Sequence, residues 1–266
     1  MSKIIGICNQ KGGTGKTTTA INLSSYLGLA GKETLLVDMD PQGNATSGIG
    51  IDTVHNSFLS IYSLLMEETH YEEVIISTNW PHLSLIPSEI SLTGAEIELV
   101  NIPEREKKLK YVIDKLKEQY AYIIIDVPPS LGLLTINVLC AVDSVIVPIQ
   151  CEYYALEGMS KLLNTIKLVR ERLNSNLEIE GILLTMADFR TRLTLQVIEE
   201  VKNFFKNKTF NTIIPRNIKL AEAPSFGKPI FFYDPFCVGA KAYMNLGEEI
   251  LKEKIDILLH LQEVHS

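Results

Sequence analysis

Short apolar runs separated by turns recur along most of the 266 residues. The runs IIGIC (4–8), TLLVD (34–38), LSLIP (83–87), YIIID (122–126), SVIVPI (144–149), IEGILLT (179–185) and FNTIIP (210–215) read as strands. Several are apolar on both faces, as strands buried inside a parallel sheet are. Between them the apolar period lengthens to that of helices. Ala20, Leu23, Leu27 and Ala30 share one face, and Met159, Leu162, Ile166 and Val169 share another. This alternation predicts an α/β fold: a single doubly wound domain, residues 1–266, with a mostly parallel sheet flanked by helices. No internal repeat, low-complexity tract or Pro/Gly/Ser linker interrupts the pattern.

Composition narrows the possibilities. Apolar residues make up 46% and charged residues 21%, an ordinary globular balance. A net charge of −7 argues against general attraction to nucleic acid or anionic lipid, so any such binding must come from a local patch. The four cysteines, Cys8, Cys140, Cys151 and Cys237, show neither a C-x-x-C pair nor metal-ligand spacing. They read as buried free thiols in a reducing cytosol. Gly12 and Gly13 interrupt the opening apolar run, so no signal peptide is expected. No run approaches the roughly 18 apolar residues of a membrane span. The expected location is cytoplasmic.

The stretch CNQKGGTGKTTTAINLSSYL (8–27) comes directly after the first strand and opens a helical pattern. It nearly fits the phosphate-binding loop G-x-x-x-x-G-K-[ST], in the strand–loop–helix setting that the motif requires. Gln10, however, occupies the place of the leading glycine, and an additional lysine, Lys11, precedes a glycine pair. Gly12, Gly13 and Gly15 let the backbone curl so that its N–H groups converge on phosphate oxygens at a helix N-terminus. Lys16 then reaches the β- and γ-phosphates of ATP, and the Thr17 hydroxyl ligates Mg2+. The alternative is a glycine-rich turn without a ligand.

The segment KGGTGKTT resembles the deviant Walker A motif, K-G-G-x-G-K-[ST], of the ParA/Soj, MinD and nitrogenase-iron-protein group of P-loop ATPases. The resemblance implies a P-loop NTPase fold in which Lys11, Gly12, Gly13, Thr14, Gly15, Lys16, Thr17 and Thr18 bind nucleotide. It also implies an ATP-dependent sandwich homodimer, with Lys11 reaching the phosphates held by the other subunit, much as an arginine finger does. Lys11 and Lys16 are then catalytic. Taken alone, Lys11 reads as a solvated loop lysine.

The remaining motifs lie just past strand ends, where open α/β sheets line their ligand crevice. LLVDMDPQGNATSG (35–48) resembles the switch I segment of the group, which makes Asp40 the water-activating catalytic residue and Asp38 a structural neighbour. A capped surface turn is the other reading of Asp40. YIIIDVPPSLGLLTINVL (122–139) has the form of a Walker B strand, with Asp126 on Mg2+ and Pro128-Pro129 making a stiff switch II. Val127 stands where the group usually carries a small polar residue or Cys. PIQCEYYALEG (148–158) resembles the segment whose glutamate, here Glu152, contacts the partner's ribose; an isolated Glu there would be a helix-start charge. IIPRNIKLAEAPSFGKPIFFYDP (213–235) is close to the ParA/Soj pattern, with Ala221 where Ser is common. It implies Pro215 and Asn217 near the adenine, although a tight turn explains them equally well.

Together these segments favour the ParA/Soj branch. A MinD-type membrane ATPase is the alternative, but it needs a basic amphipathic C-terminal helix. Residues 247–266 hold five acids and two lysines, a balance of −3, and read as a packed or solvated terminal helix. An electron-transfer iron protein needs cysteines placed to bridge a cluster, and none are so arranged. A dethiobiotin-synthase-like ligase shares a glycine loop without the Lys11 motif. The resemblance implies a role in chromosome or plasmid partitioning, a ParB-like centromere-binding partner, non-specific binding to double-stranded DNA and a nucleoid association, with no membrane partner. Residues 186–219 carry seven basic and three acidic side chains, +4 within an acidic chain. Within them Arg190, Arg216 and Lys219 match DNA-contacting positions. A solvated helix face over residues 195–206 is the other reading of that charge.

Overall fold

Strands β1 (Lys3–Ile7), β2 (Thr34–Asp38), β3 (Ile76–Ser77), β4 (Leu83–Ile86), β5 (Tyr122–Asp126), β6 (Ser144–Gln150), β7 (Glu178–Ala187) and β8 (Thr209–Pro215) form one sheet. Their order in this computed structural model is β3-β4-β2-β5-β1-β6-β7-β8, and every pairing is parallel except β3 with β4. The structure describes residues 2–52, 59–152, 155–156, 158–255 and 257. The apolar runs are strands because both of their faces are covered. Ile123 and Ile125 of β5 pack into one apolar layer while Ile124 packs into the other.

Helices α1 (Lys16–Leu29), α2 (Lys108–Leu116), α3 (Leu133–Ala141), α4 (Met159–Arg172), α5 (Arg192–Phe205) and α6 (Val238–Leu251) supply those layers. Residues of α2 to α5 cover one face, and α1 with α6 and the short helix Ile230–Tyr233 covers the other. The face predicted for α4 is the buried one: Met159, Leu162, Ile166 and Val169 point inward. Helix α1 departs from its expected single face. Thr19, Asn22, Ser24 and Ser25 are buried along with its apolar residues. The cause lies far along the chain, where α6 and residues 230–233 lay a second shell over α1.

Three other differences have physical reasons. The apolar pattern does not predict the β3 edge strand, because two residues are too few to show a period. Strand ends differ from the expected ones by one or two residues, as terminal residues share the pattern of their turns. Helix α6 stops at Leu251, where Lys252 takes a left-handed conformation with φ of 57°. Residue 256 and residues 258–266, the end of the expected terminal helix, lie outside the described residues.

A tight approach between α1 and α6 identifies a sensitive point. Gly247 of α6 lies against the ring of Tyr26 in α1, and a Cβ built there would overlap that ring. Both residues are buried, so neither can swing into solvent. Gly247→Ala should therefore cost about 1–3 kcal/mol by overpacking, read as a lower midpoint in denaturant unfolding. An unchanged midpoint would show that the two helices can slide apart freely.

Candidate active site

The chain order reverses around β1, and the carboxyl ends of its neighbouring strands meet there, where open α/β sheets hold ligands. The glycine loop leaves β1 at this point and delivers Lys16 as the first residue of α1. Gly13 and Gly15 have φ of 71° and 86°, a left-handed region open to glycine at no steric cost. A Cβ at Gly12 or Gly13 would meet nothing within 4 Å, so open space lies beside the loop at both residues. Thr14 is buried, and its carbonyl accepts the Thr185 hydroxyl at 2.9 Å, which pins the loop to β7. The Lys16 ammonium donates to the Lys11 carbonyl at 3.3 Å. Burial lowers the Lys16 pKa, and the nearby charges of Asp126 and Asp40 oppose that drop.

Asp38 and Asp126 end neighbouring strands in direct register. Both carboxyls are fully buried, yet they are treated differently. Asp38 Oδ2 accepts the Thr46 N–H and hydroxyl, each at 2.8 Å, and Oδ1 accepts the Asp40 N–H at 3.1 Å. Burial still pushes the Asp38 carboxyl up to about 6. Asp126 has both oxygens buried without a hydrogen-bond partner among the described residues. Burial, then the charge of Asp38, holds its pKa well above the usual range, while the Thr17 hydroxyl and Lys16 pull it back. An orphaned, buried carboxylate beside a threonine hydroxyl at the mouth of a phosphate loop fits a hard divalent cation. Asp40 is nearly buried, and its Oδ1 accepts the Gln42 N–H at 3.0 Å, so the turn aims its carboxyl.

Lys11 and Glu152, the two residues that the resemblance sends toward another subunit, hold each other within this chain. Their charges lie 3.3 Å apart with side chains 44% and 50% exposed. Gln150 donates to Glu152 at 2.5 Å. Beyond Gly15 a cavity of about 330 Å³ opens, lined by Thr18, Thr185, Pro215, Asn217 and Tyr243. Asn217 also accepts the Leu220 N–H at 3.3 Å and caps the helix Ile218–Glu222, so its turn role and its place at the cavity coexist.

The basic segment is less positive in space than along the chain. Arg190 forks onto Asp188 at 2.8 and 2.7 Å and holds that carboxyl down at about 2. Lys208 and Lys219 meet Glu178 and Glu222, acids that lie outside residues 186–219. Lys219 also sits 5.5 Å from the Tyr233 ring centre. Arg216 is exposed, and its backbone N–H donates to the Ala187 carbonyl at 3.0 Å, which brings the tips of β7 and β8 together.

Sequence reasoning missed Thr185 and Tyr243, which reach the site from distant segments with no local signal. Thr185→Val should leave the Thr14 carbonyl without its buried donor and weaken nucleotide binding about tenfold while the fold persists. Titration with a fluorescent nucleotide checks this, and wild-type affinity would refute it.

Comparison with known proteins agrees with this geometry. Residues 2–179 match the family described as an AAA domain. The sporulation initiation inhibitor protein Soj of Bacillus subtilis (strain 168) is 56% identical over 250 residues, covering 94% of this chain and 98% of that protein. The chromosome partitioning protein ParA of Myxococcus xanthus (strain DK1622) is 53% identical over 252 residues, covering 95% and 89%. Among solved structures, cobyrinic acid a,c-diamide synthase from Mycobacterium smegmatis, with a bound ATP analog and magnesium, superposes with a TM-score of 0.86. It is 33% identical over 95% of both chains. That protein bears the name of an amide-forming enzyme, so shared fold does not decide the reaction. The much higher identity to partitioning proteins, over nearly their whole length, does: the chain belongs to the ParA/Soj family of chromosome-partitioning ATPases.

Proposed function

We propose that residues 1–266 work as a single P-loop ATPase domain that binds ATP with Mg2+, dimerises around it and carries DNA during partitioning. The observation that carries this reading is the Asp126 carboxyl, buried with neither oxygen partnered among the described residues, beside the Thr17 hydroxyl and Lys16. Thr17 and Asp126 would hold Mg2+, whose charge offsets that of the phosphates. The loop from Lys11 to Thr18 cradles those phosphates, and Lys16 pairs with the β- and γ-groups. The base and ribose enter the cavity beside Pro215 and Asn217. Asp40, aimed by its turn, orients the attacking water.

In the dimer, Lys11 and Glu152 exchange their mutual ion pair for contacts with the other protomer's nucleotide. The ATP dimer binds double-stranded DNA without sequence preference through Arg190, Arg216 and Lys219, and a ParB-like centromere-binding protein stimulates hydrolysis. The protein is then cytoplasmic and nucleoid-associated. The acidic balance of residues 247–266 favours DNA over a MinD-like membrane surface. Co-sedimentation with ATP, run in parallel with DNA and anionic liposomes, separates the two, and liposome binding alone would overturn this reading.

Lys16→Ala should abolish ATP binding, since it removes the charge that meets the terminal phosphates. Asp40→Ala should bind ATP, hydrolyse it poorly and accumulate dimer. Hydrolysis by Asp40→Ala at the wild-type rate would remove Asp40 from the water-orienting role.

Replacing Arg190 or Lys219 with Ala or Glu should weaken binding to all DNA sequences alike and flatten its salt dependence, with dimerisation intact. Filter binding across a salt series measures this. Sequence-selective binding, or indifference to both substitutions, points to another cargo.

A further inference from the structure

The backbone of Lys11 is fixed at both of its polar groups. Its N–H donates to Asn9 Oδ1 at 3.0 Å, and its carbonyl accepts from the Thr14 hydroxyl at 3.4 Å and the Lys16 ammonium at 3.3 Å. Asn9 is itself anchored. It is 5% exposed, and its Nδ2 donates to the Pro148 carbonyl on β6 at 2.6 Å. Gln10, which replaces the leading glycine of the ordinary loop, donates from its side chain to the Gly158 carbonyl just ahead of α4. Two consecutive side chains therefore strap the front of the loop to the ends of the segment that carries Glu152.

This arrangement has a cost for phosphate binding. A loop N–H committed to Asn9 is not offered to phosphate oxygens, and ordinary phosphate loops place glycine where this chain has Gln10. What the strap secures is the position of one residue whose long charged side chain is left 44% exposed. A charge that must meet a target on another molecule loses less entropy when its base is rigid.

We propose that Asn9 is a positioning residue for Lys11, with Gln10 as the second tether, and that the pair sets the reach of Lys11 into the other protomer without contributing to phosphate binding in their own subunit. This rests on the reading of Lys11 as acting across the dimer.

The test compares Asn9→Ala, Asn9→Ser and Lys11→Ala with wild type, using a non-hydrolysable ATP analogue. Nucleotide affinity is titrated at protein concentrations too low for association, and dimerisation is followed by light scattering over a protein series. Asn9→Ala should keep nucleotide affinity within about threefold yet dimerise about tenfold more weakly, because small misplacements of an oriented group are costly. Asn9→Ser, whose hydroxyl can still accept the Lys11 N–H, should recover most of that loss. If Lys11→Ala fails to dimerise while Asn9→Ala dimerises normally, the positioning role is overturned and the Lys11 reading stands. If Lys11→Ala itself dimerises normally, both are overturned. A parallel fall of nucleotide affinity and dimerisation in Asn9→Ala would make Asn9 a general support of the loop, which also overturns the proposal. Thermal unfolding controls for the fold. Should Asn9→Ala not fold, Gln10→Gly decides the matter: dimerisation about threefold weaker at unchanged nucleotide affinity supports the strap, and unchanged dimerisation refutes it.

Discussion

Two carboxyls at the ends of neighbouring parallel strands, Asp38 and Asp126, are the constraint around which the active site is built. Adjacent strands lie about 4.8 Å apart, so two charges there repel by roughly 3 kcal/mol at an effective dielectric of about 20. Burial removes the water that would screen them. The fold answers unequally. Three donors, two of them from Thr46, satisfy Asp38, and through it they shape the turn that carries Asp40. Asp126 receives no comparable set of donors and faces Lys16 and Thr17 instead. One acid thus organises the turn that carries Asp40, while the other is left with unpartnered oxygens among the described residues. Asp126, together with Asp40, also opposes the fall that burial imposes on the Lys16 pKa.

Much of this is readable along the chain, and the reason is contiguity. The glycine loop, the Asp126 strand and the Asp38–Asp40 turn each complete their geometry within a few residues of a strand end, so spacing together with family resemblance exposes them. The β-branched runs announce themselves because both of their faces are buried. What stays hidden is what the fold brings together from afar. Thr185 reaches Thr14 across 171 positions, and Asn9 reaches Pro148 across 139. Glu178 folds onto Lys208 across 30 positions, a lysine whose charge looks unopposed along the segment. The buried polar face of α1 is also invisible, because the helices that cover it come from the other end of the chain.

The contacts that read as functional are graded in strength. Bonds that hold the loop, such as Thr185 to Thr14 and Asn9 to Pro148, are buried, so breaking them leaves orphaned polar atoms. The Lys11–Glu152 pair is half-exposed on both sides, and such pairs contribute about 0–1 kcal/mol. Under the proposed exchange of Lys11 across a dimer, this ordering holds the phosphate loop still while leaving the lysine free to change partners. The frame is expensive to disturb, whereas the exposed pair is weak enough to be exchanged.

The same ordering bears on the proposed binding of DNA by an acidic protein. Arg190, with a side chain 87% exposed, and Lys219 each rest on an internal carboxylate in an exposed pair, not on a buried one. Exchanging such a partner for a DNA phosphate therefore costs little, while counterions released from the duplex favour the exchange. Each exchange nevertheless frees Asp188 or Glu222 close to the phosphate, and the field of a chain at −7 adds to that repulsion. The net gain per patch is small, and a single patch neutralises few phosphates. Two patches fixed on one dimer act at high effective concentration toward the same duplex, so modest gains multiply into useful affinity. On the proposed reading, weak internal pairing and overall acidity make DNA binding depend on the nucleotide-driven dimer, which a strongly basic surface would bypass.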